Sequence, residues 1–346
     1  MRLCRAVLVI PFLTFAGAPD YALAGDPIVE NYGNYRNITV RRHNDIEGAE
    51  ALFDDYRRQW FKEGYSGVRV GKWAGEDQRD MPRCSSADGQ KLSVNTRINC
   101  GSNHIFRLNV TGIAASDSDT ASIDETGALA YLGYEYLFSN DAFLGLGATY
   151  AVSDIDSSLN GSTLDSEVSE FGAHFVGGYR FPREIGVAWN ISLTRSTDDL
   201  TRNGSITSSV DMTGVMISGV IFQNWYFSQS TYLSYGLDYT FLGLFGPGTV
   251  TDSSGAVQDT GINNGRGDFT GSLLLVHELD RAEVFARLGS TAEVILATDR
   301  WLDATADVGG SLNLSDNIAL TGTVGGTYRM GNYLSGRGSV RLVGKF

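Results

Sequence analysis

Few residues in this chain have the makings of chemistry. Only four histidines occur, His43, His104, His174 and His277. His174 and Glu170 lie four residues apart in a stretch of alternating apolar and polar residues, so both fall on one face of a strand. An imidazole near a carboxylate is the start of a general base, but hydrolysis also needs a nucleophile within hydrogen-bond reach. No G-x-S-x-G motif supplies one. His43 and His104 come before or at the start of the alternating region, and His277 has the parity of its apolar face. The expectation is a hydrogen-bonded interior histidine, with no catalytic residue and no cofactor. Arg266-Gly267-Asp268 spells an adhesion tripeptide, but it stands at the start of a strand, a poor place for display.

The three cysteines are Cys4, Cys84 and Cys100. Cys4 belongs to an export signal, described below, which leaves an even pair in an oxidising compartment and predicts a Cys84–Cys100 disulfide. Such a staple contributes about 3 kcal/mol by the chain-entropy account. Zinc needs four ligands and His104 is the one histidine nearby, so no metal site is expected. The formal charge of −13 argues against nucleic acid, whose phosphates call for a basic surface.

The elements that position these residues are read from the ends inward. Arg2 and Arg5 precede an apolar run from Ala6 to Ala18, and Ala22-Leu23-Ala24 forms a cleavage site before Gly25. Residues 1–24 are thus expected to be a Sec-type signal peptide. No later run approaches the length of a membrane helix, so a mature chain that spans a membrane does so with strands. The other end alternates without a break. Leu334, Gly336, Gly338, Val340, Leu342, Gly344 and Phe346 share one face of a terminal strand, opposite Ser335, Arg337, Ser339, Arg341 and Lys345. A last strand closing on an aromatic is how outer-membrane barrels commonly end.

From His104 onward twelve alternating segments can be counted, beginning near 104–113 and ending at 333–346. The fold class is all-β, a transmembrane antiparallel up-and-down barrel over 104–346. Connections after the even segments are short; those after the odd ones, such as 114–126, 153–166, 196–209 and 242–266, are read as longer polar loops. Aromatics collect at two levels and resemble interfacial girdles. Tyr134, Tyr136, Phe138, Tyr179, Phe181, Trp225, Tyr226 and Phe227 form one; Tyr150, Tyr239, Phe241, Trp301 and Tyr328 form the other. Charges take the opposite parity and are expected to face the lumen: Arg180, Asp238, Glu283, Arg287, Glu293, Asp303, Asp307, Arg329, Arg337 and Arg341.

Residues 25–103 lack that alternation. Ile46, Ala49, Phe53, Tyr56 and Trp60 form the single stripe of a helix, with Asn44 and Glu47 as a capping pair and Gly64 at its end. The helix either packs in a small periplasmic fold or enters the barrel as a plug. The segment is read as periplasmic, plug or short passenger.

Leu132-Gly133-Tyr134-Glu135-Tyr136, Phe143 to Tyr150, Phe175 to Phe181, Tyr235 to Tyr239 and Val308 to Asn317 lead into the ending Gly338 to Phe346. Over about two thirds of the chain this pattern resembles the translocator β-domain of autotransporters. The resemblance implies a twelve-stranded barrel, monomeric, delivered by periplasmic chaperones and inserted into outer-membrane lipid by the barrel assembly machinery. Val340, Leu342 and Phe346 would serve as its terminal assembly signal. It implies a barrel that anchors or translocates an N-terminal passenger at the surface of a Gram-negative cell. Here only 25–103 is available as that passenger, it has no repeats, and Gly344 stands where an aromatic is usual. The alternatives are a small-solute channel and a barrel hydrolase centred on His174.

Overall fold

The computed structural model describes Phe53, Arg57 and Arg58 and, from His104 to Lys345, the strands and part of their connections. In chain order the strands are β1 (His104–Asp117), β2 (Ser122–Ser139), β3 (Ala142–Leu159), β4 (Ser162–Phe181), β5 (Ile185–Arg202), β6 (Ile206–Tyr226) and β7 (Thr231–Phe245). Then come β8 (Thr249–Thr251), β9 (Val257–Asp259), β10 (Asn263–Glu278), β11 (Ala282–Ile295), β12 (Leu302–Asn313), β13 (Ile318–Arg329) and β14 (Tyr333–Lys345). All but β8 and β9 form one closed barrel in which each strand pairs with its antiparallel neighbours; β8 and β9 make a small separate hairpin. Closure is between β1 and β14, in register from Ile105↔Lys345 to Asp117↔Tyr333. This is the twelve-stranded, all-β barrel that the alternation predicts.

Its polarity is inverted relative to a water-soluble protein. Arg107, Asn109, Glu135, Thr149, His174, Asn190, Asp238 and Arg287 are buried on the inner face, while Leu132, Leu146, Leu193, Leu288, Val324 and Leu334 are exposed on the outer one. Exposed apolar side chains on every strand are the mark of a barrel whose outer solvent is lipid.

The outer face changes character sharply at one level. In β3 the outward positions run Leu144, Leu146, Tyr150 and Val152, then Asp154 and Asp156; in β5 they run Ile191 and Leu193, then Arg195 and Asp199. The apolar part of β3, residues 144–152, spans about 27 Å along the strand, enough to cross hydrocarbon at a tilt. Above it the sheet continues as a solvated collar. Asp124↔Asp156↔Asp165 and Asp154↔Glu167↔Asp199 form acidic rows across neighbouring strands. Thr197 and Arg195 donate to Asp211 at 2.8 and 2.9 Å and hold that carboxyl below its usual range.

This collar corrects the expected loops. Residues 153–159 and 162–166 are paired strand, as are 196–202 and 206–209. Only 118–121, 160–161 and 203–205 connect these strands at what we call the loop end; the turn end carries 140–141, 182–184, 227–230, 279–281 and 314–317. A polar outward face, and an inward one on which serines interrupt Ile155, Leu164 and Leu200, hid these extensions, yet the backbone goes on pairing because antiparallel hairpins satisfy it. Two smaller corrections follow from parity. Tyr226 packs at a tilt against the buried Tyr232, ring centroids 5.1 Å apart, and is not in the girdle. Phe171 and Phe269, exposed on the outer face, join the girdle at the loop end.

Inside, Tyr131 lies flat across two glycines. A Cβ on Gly133 would meet its Oη at 2.5 Å, and one on Gly147 would meet its Cε2 at 2.6 Å. Only hydrogen at both positions lets the ring lie against the wall. Gly147→Val should therefore lower thermal stability by about 1–3 kcal/mol through overpacking. Adding Tyr131→Ala should recover part of that loss, measured as the temperature at which the folded band disappears on a gel; an additive pair would contradict this packing.

Candidate functional site

The barrel interior is where functional side chains converge, and its turn end holds a piece of the N-terminal segment. Phe53, Arg57 and Arg58 are helical and buried. Arg57 donates Nε to Ser234 Oγ at 3.0 Å, Nη1 to Ser272 Oγ at 2.8 Å and Nη2 to the Ser234 carbonyl at 2.8 Å. Arg58 Nη1 pairs with Glu283 Oε1 at 2.5 Å, both side chains 1% exposed, and donates to Ser311 Oγ at 3.1 Å. Its guanidinium lies 4.0 Å over the Phe285 ring. Tyr232 and Asn224 donate to the carbonyls of Arg58 and Arg57. These partners come from β6, β7, β10, β11 and β12 and all face inward, so the two arginines sit within the lumen. The Ile46–Trp60 stripe is outside the described residues except for Phe53, which is buried as expected.

The arginine contacts continue into a chain of lumenal charges. Ser272 donates to Asp238 at 2.8 Å, and Arg287 bridges Asp238 and Asp307 at 3.6 and 3.7 Å. Arg337 then grips Asp307 with two bonds of 2.9 and 2.7 Å. The chain runs from the helix through β10, β7, β11 and β12 to β14. Separately, Arg107 forks onto Glu135 at 2.7 and 3.1 Å. Paired in this way, buried charges avoid the desolvation cost each would carry alone.

Of the charges expected inside, Arg287, Asp303, Asp307 and Arg341 are buried on the inner face and Arg337 is half-buried there. The side chains of Arg180, Glu293 and Arg329 lie outside the described residues, as do Cys84, Cys100 and Phe346. Val340 and Leu342 are exposed on the lipid face of β14. The sequence reading missed Arg57, Arg58, Arg107 and Glu135 as lumenal partners. Parity could have found the last two, since both share the inner face of their strands. Nothing in the spacing of Arg57 and Arg58 names their partners.

His174 is inside, as its parity requires. Thr149 Oγ1 is 3.0 Å from its Nε2, and Asn190 Oδ1 is 3.3 Å from its Nδ1. Hydroxyl, imidazole and amide are in the order of a nucleophile, a base and its orienting group. All three are buried to 6% exposure or less, a geometry that ties β3, β4 and β5 together. Asp268 of the Arg-Gly-Asp sequence is 4% exposed and within β10, which removes it from display. His104 and His277 are exposed, hydrogen-bonded to Tyr134 and Thr231.

No protein-family model matches the sequence, and no curated protein matches it. Solved structures do. The β-domain of the Bordetella autotransporter BrkA is similar, with 13% identity, a TM-score of 0.60, and coverage of 71% of this chain and all of that one. The translocator domain of NalP from Neisseria meningitidis gives 14% identity and 0.57, covering 73% of this chain and 92% of that one. The transport unit of AIDA-I from Escherichia coli gives 11% and 0.55, covering 72% and 92%. The chain has the twelve-stranded barrel fold of autotransporter translocator domains.

The Arg58–Glu283 pair has a direct consequence. Glu283→Ala leaves a buried guanidinium uncompensated and should destabilise the seated helix by about 3–5 kcal/mol. The pairwise part is read from a double-mutant cycle with Arg58→Ala, by thermal unfolding of the full chain; independence of the two substitutions would mean that they do not meet.

Proposed function

We propose that the protein is an outer-membrane barrel of autotransporter type that anchors the N-terminal segment 25–103 and carries it to the cell surface. The observation behind this reading is the buried double-arginine clamp, which fixes part of that segment within the lumen. An anchoring barrel must grip its passenger in the pore, and the clamp does so with charges that have no place in lipid. The outward apolar belt fits insertion in an outer membrane, reached by Sec-type export and aided by periplasmic chaperones and the barrel assembly machinery. Lipid-facing Val340 and Leu342 suit the terminal strand to recognition by that machinery, with Phe346 completing the signal. The unit is read as a monomer, and the closed barrel supports that reading by leaving no free strand edge for a second copy to extend. A disulfide between Cys84 and Cys100 would staple the segment. The reading includes no catalytic role.

The test is protease accessibility of a tag inserted directly after Ala24. Display predicts cleavage on intact cells. Cleavage only after permeabilisation would leave the segment in the periplasm or inside the barrel and favour a channel or a purely structural barrel.

A further inference from the structure

The wall around Arg57 is shaped for the group it holds. Ser234, Gly236 and Asp238 take alternate, inward positions on β7, and Ser272 of β10 is in register with Gly236. A Cβ on Gly236 would lie 3.3 Å from Arg57 Cζ, with the Ile221 carbonyl oxygen and Phe222 Cβ at the same distance. Hydrogen at this position lets the flat cation rest on the sheet. Nε then meets Ser234 Oγ, Nη1 meets Ser272 Oγ, and Nη2 reaches the carbonyls of both serines at 2.8 and 3.4 Å. A guanidinium offers only donors, set in a rigid planar fork, and here acceptors stand along its edges.

The Ser272 hydroxyl has one proton, and Arg57 can only donate to it, so that proton must go elsewhere. It goes to Asp238 Oδ2 at 2.8 Å. The carboxylate therefore turns a serine lone pair toward Arg57 and places a negative charge one hydroxyl away from a buried cation. Arg287, 3.6 Å from the same oxygen, helps to hold that carboxylate in place. The arrangement recurs at the next residue. Arg58 Nη1 donates to Ser311 Oγ at 3.1 Å, and Ser311 donates to Glu283 Oε1 at 3.3 Å. Two successive arginines are each met by a serine that a carboxylate orients.

We infer that Ser234, Gly236, Asp238 and Ser272 form a binding site for the guanidinium group itself, with Arg57 as its resident ligand. Asp238 is the positioning residue, acting through Ser272. The site discriminates against an ammonium of equal charge, whose three hydrogens radiate from one atom and do not match acceptors spread along a planar fork. The inference deepens the clamp on which the anchoring reading rests.

Chemical rescue tests it. Arg57→Ala empties the site and leaves Arg58 and every wall residue in place. Opening of this full-length variant in planar bilayers is followed as ethylguanidinium is added, or ethylammonium at equal concentration and ionic strength. Ethylguanidinium should return the variant toward the closed state at a concentration about tenfold or more below any effect of ethylammonium, the difference made by one further hydrogen bond to a charged group. The native chain should respond to neither, and Arg57→Lys should open nearly as often as Arg57→Ala. Asp238→Asn or Ser272→Ala, each added to Arg57→Ala, should abolish rescue, while Asp238→Glu should retain part of it. The folded band on a gel shows that each barrel is intact, and Ser272→Ala serves should Asp238→Asn not fold. Equal response to the two cations, response to neither, or rescue that survives the wall substitutions would overturn the site. If rescue fails while the tag after Ala24 is cleaved on intact cells, the anchoring reading stands and the site alone is lost.

Discussion

A hydrocarbon solvent offers no partner to a backbone N–H or C=O, so a chain that crosses it with strands must pair every such group internally. In this protein that condition is met by the β1–β14 junction, paired from Ile105↔Lys345 to Asp117↔Tyr333. The inverted polarity follows from it. Once the sheet closes, alternate residues must face either lipid or lumen, and charges have only the lumen available. The glycines under Tyr131 show the same constraint at smaller scale, because a ring pointing inward needs room against a curved wall.

Closure also creates a problem. A barrel of this size encloses more space than its own side chains fill, and an empty lumen is a hole in the membrane. The turn end answers with Arg57 and Arg58, whose partners come from five strands. Long cationic side chains suit this task, since the wall supplies serine hydroxyls and carboxylates at several heights. The chain from Ser272 through Asp238, Arg287 and Asp307 to Arg337 extends the same electrostatics around the wall. Moving either arginine thus disturbs more than one contact.

Much of this was legible in the sequence, for a simple reason. A period of two with one face in lipid is a strong pattern, so the strand count, the inner charges Arg287, Asp303, Asp307 and Arg341, and the inward His174 could be read directly. The collar could not. Where the outward face is polar and the inward one mixes Ile155 and Leu164 with Ser153, Ser157 and Ser166, as over 153–158 and 163–167, alternation carries little apolar signal and paired strand looks like loop. Tyr226 is ambiguous because aromatics suit both a girdle and an interior ring contact. The clamp was hidden for another reason. The helical stripe marks Phe53 as buried but says nothing of what buries it, and Arg57 and Arg58 read as solvated residues until Ser234, Ser272 and Glu283 are placed around them.

The central claim is that the lumen is occupied by the chain's own N-terminal segment, held by the clamp. Ion conductance of the purified full-length protein in planar bilayers tests it most directly, beside a variant with Arg57→Ala and Arg58→Ala. The account predicts a closed or nearly closed barrel for the native chain and frequent opening for the variant. Steady, equal conductance from both would contradict it, since the arginines would then hold nothing in the pore.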